Sequence, residues 1–365
     1  MIKKIKNKFL NFVFKFLAKF SKVSKERTNR VLIISTTAIG DTLWATPSIE
    51  YLYKIHHCQI DVLTSTLGYQ ILQNNPFINK VIYIDKKLIT ILKVIGRCLN
   101  VSYDNVFLFH ASQRIVSYIG YMTNSKRYYG FDVLTKINTL FTQRINYADF
   151  PFVHESDMRL KLIKSIYPEK SIDNHFYARL QVYLTDNDYK QAQKFLAINE
   201  LLSPNEFIFI QPGTSRIDRQ WHPDYFAEVI EFCVKNFNKK ILISGSKKEK
   251  ELVNSIKLKA NCDDEKVRVL EGSLTINELA AVIGKAVLVI TNDTGPMHLA
   301  EALNIPTIAI FLTHNYERCF FYHSKAEVKS FSVINENPDS FLMLPKPNKV
   351  IEEIINYFQI KHSKG

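Results

Sequence analysis

From Val31 onward the apolar positions fall into short, unbroken runs of β-branched residues separated by longer stretches at helical spacing. VLIIS at 31–35 reads as a buried strand, TTAIGD as a turn-forming loop, and TLWATPSIEYLYKI as a helix with a proline in its first turns. QIDVLTS, KVIYID and YDNVFLFH read as further strands, with TLGYQILQ and KLITILKVIGRCL as helices between them and KRYYGF as a short strand. Strands that are apolar throughout, rather than alternately, are covered on both faces, which predicts a parallel sheet flanked by helices. HESDMRLKLIKSIYP reads as a helix, and FYARLQVYLTDNDYKQAQKFLAIN as a strand followed by a helix. LLSPNE, at 201–206, has the Ser, Pro and Asn content of a linker.

The same rhythm then restarts. EFIFIQPG and KKILISGS are strand-and-turn units, PDYFAEVIEFCVKNF is an amphipathic helix, and KKEKELVNSIKLKA is a charged one. VRVLEG precedes TINELAAVIGKA, whose Thr275 and Glu278 fit a capping box. The stretch 287–311, VLVITNDTGPMHLAEALNIPTIAIF, is a complete strand–loop–helix–strand unit. Thr294 or Gly295 suits its helix cap, and Pro296 suits the first position, where no N–H is required. NKVIEEIINYFQIKH is a last helix. Two α/β halves with a cleft between them follow from this alternation.

The first thirty residues break the pattern. Ile2, Ile5, Phe9, Phe12, Val13, Phe16 and Phe20 share one helical face, opposite Lys4, Lys8, Lys15, Lys19 and Lys22. A basic amphipathic helix with aromatic residues on its apolar side suits an anionic membrane surface, or else packs on the protein's own body. Lys15 and Lys19 interrupt the apolar region and no small-residue cleavage site follows, which argues against a signal peptide. This arm holds ten Lys and Arg against Glu26 alone, a net +9 of the chain's +13, and leaves +4 for everything else. The basicity therefore belongs to the arm, and nucleic acid is not the expected partner.

Bulk composition narrows the class further. At 365 residues, 46% hydrophobic and 23% charged, the chain suits two ordinary globular domains. Cys58, Cys98, Cys233, Cys262 and Cys319 are scattered, odd in number and without a CxxC pair, so neither a zinc site nor a disulfide framework is expected. No apolar run reaches the roughly 18–20 residues that span a bilayer.

Three loops and one helix carry candidate chemistry. In STTAIGD (35–41), Gly40 permits close backbone approach and Asp41 lies where a helix begins; a carboxylate there also simply favours a helix N-terminus. In QPGTSRIDRQWHPDYF (211–226), Arg219 and Arg216 could grip an anion, Gly213 serves the turn, and Trp221 reads as a packing residue. ISGSKKEKEL (243–252) supplies Glu249 after a turn. Asp293, Thr294 and Gly295 form the loop at a helix N-terminus, where free N–H groups and the helix dipole attract phosphate, and His298 lies one turn inside.

These motifs, in this order, resemble those of glycosyltransferase family 9, the heptosyltransferases of lipopolysaccharide core synthesis. The resemblance rests on A-x-G-D followed by the helix-opening Thr46-Pro47, on the strand–PG–basic–W–P segment, on the turn with its Glu, and on D-T-G-x-x-H-x-A at 293–300. It implies a GT-B fold, two Rossmann-like domains facing a cleft, with the last helix returning to the N-terminal domain. The expected boundaries are 1–30 for the arm, 31–200, 201–345, and 346–365 for the returning helix. It also implies metal-independent, inverting transfer from a nucleotide sugar, ADP-heptose first, to the lipid A–core oligosaccharide; the alternatives are a transferase of the same fold using another nucleotide sugar for a surface glycan, and a non-catalytic membrane- or polyanion-binding protein on that fold. The expected setting is the cytoplasmic face of the bacterial inner membrane, with the arm, residues 1–25, on the anionic surface. By the same resemblance Asp41 is the general base, Arg219 binds the diphosphate, Glu249 holds ribose hydroxyls, and Asp293, Thr294, Gly295 and His298 receive the donor. No cofactor or metal is implied. Ser35 stands where the family commonly has Arg or Lys, His222 delays the proline after Trp221 by one, and Ser246 replaces a frequent Gly. The loop LTHNYERCFFYHS (312–324) is more aromatic than the family's usual Gly/Pro-rich version.

Overall fold

Continuous apolar strands are satisfied only when helices cover both sheet faces, and the computed structural model has two sheets built that way. It describes residues 28–362 except 86, 112–113, 133–139, 170–175, 203–205, 314–315, 323–329 and 337–343. The membrane arm expected at 1–30, but for Thr28–Arg30, lies outside the described residues.

The first sheet contains β1 (Arg30–Ser35), β2 (Gln59–Thr64), β3 (Lys80–Tyr83), β4 (Ser102–His110), β5 (Asn124–Phe131) and β6 (Gln143–Ile145), in the order β3-β2-β1-β4-β5-β6. Its helices are α1 (Ile39–Leu43), α2 (Thr46–His56), α3 (Thr66–Leu72), α4 (Leu88–Leu99), α5 (Arg114–Met122) and α6 (Glu155–Lys164). The second contains β7 (Phe207–Gln211), β8 (Lys240–Gly245), β9 (Val267–Glu271), β10 (Leu288–Asn292), β11 (Thr307–Phe311) and β12 (Phe331–Ile334), in the order β12-β11-β10-β7-β8-β9. With it go α7 (Asp186–Ile198), α8 (Pro223–Phe237), α9 (Lys250–Lys259), α10 (Ile276–Ile283), α11 (Gly295–Ala302), α12 (Tyr316–Cys319) and α13 (Pro347–His362).

Every strand pair is parallel. The two sheets have one topology: the first strand of each is flanked by its second and its fourth. That arrangement creates a switch point at the carboxyl ends of β1 and β4 in one sheet and of β7 and β10 in the other, where open α/β sheets take their ligands. The two Rossmann-like sheets of the GT-B expectation are therefore present. Val31–Ile34 and Phe207–Ile210 are fully buried, each such side chain stabilising by about 1.5–3 kcal/mol relative to exposure.

Packing corrects several expectations. The chain divides at Arg179/Leu180, not at 200/201. The polar 201–206 stretch looks like a linker, but α7 packs on α10, burying Ala192 and Leu196, and so belongs to the second unit. The segment 176–185, expected to hold a strand, joins no sheet, whereas the short β6 and β12 do pair. Helix α13, expected at 346–365 on the N-terminal domain, places Val350, Ile354, Tyr357 and Phe358 in the second unit's core. Tyr357 Oη donates to the Val287 carbonyl at 2.8 Å, and Phe358 stacks on Phe237 of α8. Its apolar stripe is spent there.

Candidate functional site

In the first unit the loop after β1 closes into α1 earlier than its sequence suggests, so Asp41 lies inside the first helical turn. The Ser35 hydroxyl donates to the Asp41 carbonyl at 3.3 Å, and the Ala38 N–H donates to Asp41 Oδ2 at 3.4 Å. Gly40 is buried within that same short helix. From α6, Arg159 donates through Nη2 to Asp41 Oδ1 at 3.1 Å. Its Nη1 donates to the Glu155 carbonyl at 2.7 Å and to Glu155 Oε2 at 2.8 Å. The guanidinium lies 5.3 Å from the Trp44 ring centre, and the side chain is 1% exposed against 15% for Asp41.

Two effects oppose each other on the Asp41 carboxyl. Burial pushes its pKa up; the charges of Arg159 and His110 and the hydrogen bond from the Ala38 N–H push it down, and the net direction is down. Asp41 is accordingly an ionised carboxylate at neutral pH. Near it, the carboxyl end of β4 opens into a cavity of about 130 Å³ lined by Leu108, Phe109, His110, Phe131, Tyr147 and Glu155. Tyr147 Oη donates to Glu155 Oε1, leaving that carboxylate held from two sides.

Sequence reading missed Arg159, Glu155 and Tyr147. One signal was available: Arg159 sits in the apolar stripe of α6 with Met158, Leu162 and Ile163, all buried. A cation within a buried stripe needs paired anions.

In the second unit, Arg219 follows β7 and Asp293 follows β10, and the fold joins them. Arg219 Nη1 donates to Asp293 Oδ2 at 2.7 Å. Here the arginine is 19% exposed and the carboxylate only 6%. Asn292, which the motifs did not single out, ties the same loops together: its Nδ2 donates to the Pro212 carbonyl at 2.7 Å and its Oδ1 accepts the Trp221 N–H at 3.2 Å. Trp221 is fully buried and donates Nε1–H to the Pro345 carbonyl at 2.7 Å, the packing role its sequence context suggested.

Thr294 caps α11 with its backbone but not with its side chain. Its Oγ1 lies 3.2 Å from Thr291 Oγ1 and donates to the Asn292 carbonyl at 3.3 Å, so it leaves the first-turn amides, starting at Gly295, for another partner. His298 turns inward, buried, with Nδ1 3.4 Å from Glu301 Oε2. Glu301 Oε1 also accepts the Tyr322 N–H, so this His secures the helix to the following loop.

Gly213 and Glu249, far apart in sequence, are brought into contact. A Cβ on Gly213 would lie 2.1 Å from Glu249 Oε1, so a side chain there would displace that carboxylate. Glu249 Oε2 accepts the Ser246 N–H at 2.7 Å, closing a capping box on the turn 247–249. Arg216 is exposed and forked onto Asp218, Nε–Oδ1 3.0 Å and Nη2–Oδ2 2.5 Å, a solvated local pair. Among the described residues no cluster of His, Cys, Asp and Glu forms a metal-binding group, and no helix is long and apolar enough to cross a membrane.

The family model of glycosyltransferase family 9 (heptosyltransferase) matches residues 99–341. Lipooligosaccharide heptosyltransferase 2 of Campylobacter jejuni is 29% identical over 297 residues, covering 77% of this chain and 80% of its own. A glycosyl transferase family 9 structure from Veillonella parvula superposes with a TM-score of 0.77 at 20% identity, covering 92% and 99% of the two chains. The E. coli heptosyltransferase WaaC with ADP superposes at 0.68 with 18% identity, covering 90% and 99%.

Proposed function

This chain belongs to glycosyltransferase family 9, the heptosyltransferases, and from that premise we propose that it moves a heptose from ADP-heptose to the lipopolysaccharide inner core with inversion at the anomeric carbon. The relatives' names and the ADP in the WaaC structure support the donor class.

The observation that carries the mechanism is the Asp41–Arg159 pair. A sugar hydroxyl is a poor nucleophile at neutral pH, and proton removal in the transition state requires a positioned, ionised acceptor. Asp41 is that acceptor. Arg159 fixes its rotamer and keeps it charged, and the β4 cavity with His110, Tyr147 and Glu155 offers polar groups to the acceptor sugar. Arg219 and the amides at the start of α11 take the charge that develops on the departing ADP. Asp293 would repel a diphosphate if bare; paired with Arg219 it instead aims the guanidinium. Glu249, held beside Gly213, is assigned to the ribose hydroxyls, and buried His298 to holding the α11 turn. No step in this scheme uses a metal, so turnover should persist in a chelator.

The arm at 1–25, with its Phe-rich face and lysines, is assigned to the anionic inner face of the bacterial inner membrane. The test of the activity is nucleotide release from a panel of nucleotide sugars with a core-oligosaccharide acceptor. Acceptor-dependent ADP release from ADP-heptose is expected; release from a different nucleotide sugar alone would replace the donor, and no release from any would overturn the reading.

A further inference from the structure

Helix α4 is apolar on both sides, yet among the described residues only one side packs into a core. Ile91, Val94 and Cys98 pack into the first unit's core. On the opposite side Leu88, Ile89 and Leu92 are 70%, 60% and 54% exposed, within one arc of the helix at 100° per residue. Gly96 continues the strip, and a Cβ there would meet nothing within 4 Å. A contiguous apolar surface of this kind marks an interaction site.

Its rim is basic. Lys87, Lys93 and Arg97 are exposed around the strip, and the stretch 80–100 carries Lys80, Lys86, Lys87, Lys93 and Arg97 against Asp85 alone. Asp85 is turned to the chain itself, accepting the Lys87 N–H at 2.8 Å.

Its place in the sheet is also telling. Ser35 pairs with Thr64 and Thr64 with Tyr83, so α4 begins at the same carboxyl edge from which the Asp41 loop leaves. Two strand spacings separate the ends of β1 and β3, about 10 Å.

We propose that the Leu88–Ile89–Leu92 strip docks on an anionic phospholipid surface, its side chains in the acyl boundary and Lys87, Lys93 and Arg97 at the headgroups. Charge selects this occupant. The arm carries a net +9 and would bring like charge to the strip. A second copy would oppose the basic rim to itself. Anionic lipid complements both the apolar strip and its rim. With the arm it supplies the second signal that durable attachment requires. It also sets the base-bearing edge of the first sheet beside the bilayer, which deepens the lipid-linked acceptor reading and rests on it only for that purpose.

The full chain tests this. Trp44 and Trp221 are buried, so Leu92→Trp adds the one solvent-facing tryptophan among the described residues. Its emission should shift to the blue with phosphatidylglycerol/phosphatidylcholine vesicles and not with phosphatidylcholine alone. The L88S/I89S/L92S variant should bind anionic vesicles at least about tenfold more weakly, while ADP release with a soluble oligosaccharide acceptor stays at the wild-type rate. Unchanged vesicle binding would overturn the proposal. So would a Leu92→Trp emission already blue in the absence of vesicles, the sign of the arm or a second copy on the strip, or an equal shift with neutral vesicles. Wild-type and variant turnover on the soluble acceptor reports the activity separately, so its failure is distinguishable from failure of docking.

Discussion

Each unit places an arginine–carboxylate pair at the switch point of its sheet, and the two pairs are built in opposite senses. In the first, Arg159 is buried at 1% exposure and Asp41 is the accessible member at 15%. In the second, Asp293 is buried at 6% and Arg219 is accessible at 19%. The same ion pair thus presents an anion in one unit and a cation in the other, and the hidden partner holds the accessible one in position. Burial decides which half of each salt bridge faces outward.

The comparison breaks most severely at Asp41. Asp41→Asn removes the proposed proton acceptor while keeping its size, and should lower kcat by about 10²–10⁴-fold with little change in donor KM, read by ADP release. Arg159→Met removes the hidden cation and leaves Asp41 and Glu155 without their shared partner. Losing one side of a buried pair costs about 3–5 kcal/mol, which denaturant unfolding would register. Surviving enzyme should show the acid limb of kcat/KM moved to higher pH, because the Arg159 charge that lowers the Asp41 pKa is gone.

In the second unit, Arg219→Lys keeps the charge but loses the fork, and should raise donor KM about tenfold while sparing the fold. An equal loss with Asp293→Asn would show that orientation, not charge alone, is what the buried member supplies. Smaller still is the pH effect on stability. A carboxyl whose folded pKa is depressed stabilises the fold above its unfolded pKa, and that contribution is lost as pH falls through the folded value. Wild type should therefore lose Tm more steeply than Asp41→Asn as pH is lowered from about 5 through the carboxylate range. Gly213→Ala should displace the Glu249 carboxylate, a loss of about 1 kcal/mol through the broken cap.

The strands were legible because β-branched apolar runs have few alternatives, and the loops after β1, β7 and β10 were legible because Gly, Pro, Asp and Thr mark a turn at a helix start. Arg159, Glu155 and Asn292 were not, since an arginine in an amphipathic helix and an asparagine at a strand end are ordinary when read one residue at a time. Their significance lies in partners 118 and 80 positions away, Asp41 for Arg159 and Pro212 for Asn292. The division of the chain was misread for a related reason: 201–206 has linker composition, but the apolar faces of α7 and α13 choose the second unit's core, and composition does not say which core a face will meet.

The sequence by itself determined two parallel α/β sheets and the loops that carry Asp41, Arg219 and Thr294, because local propensity and turn chemistry act over a few residues, and the family was legible in the resemblance of its ordered motifs. Tertiary structure alone decided that Arg159 clamps Asp41, that Asp293 pairs with Arg219, and which member of each pair faces outward. Those outcomes depend on burial and on distances of about 3 Å between groups far apart in the chain, and no local pattern encodes them.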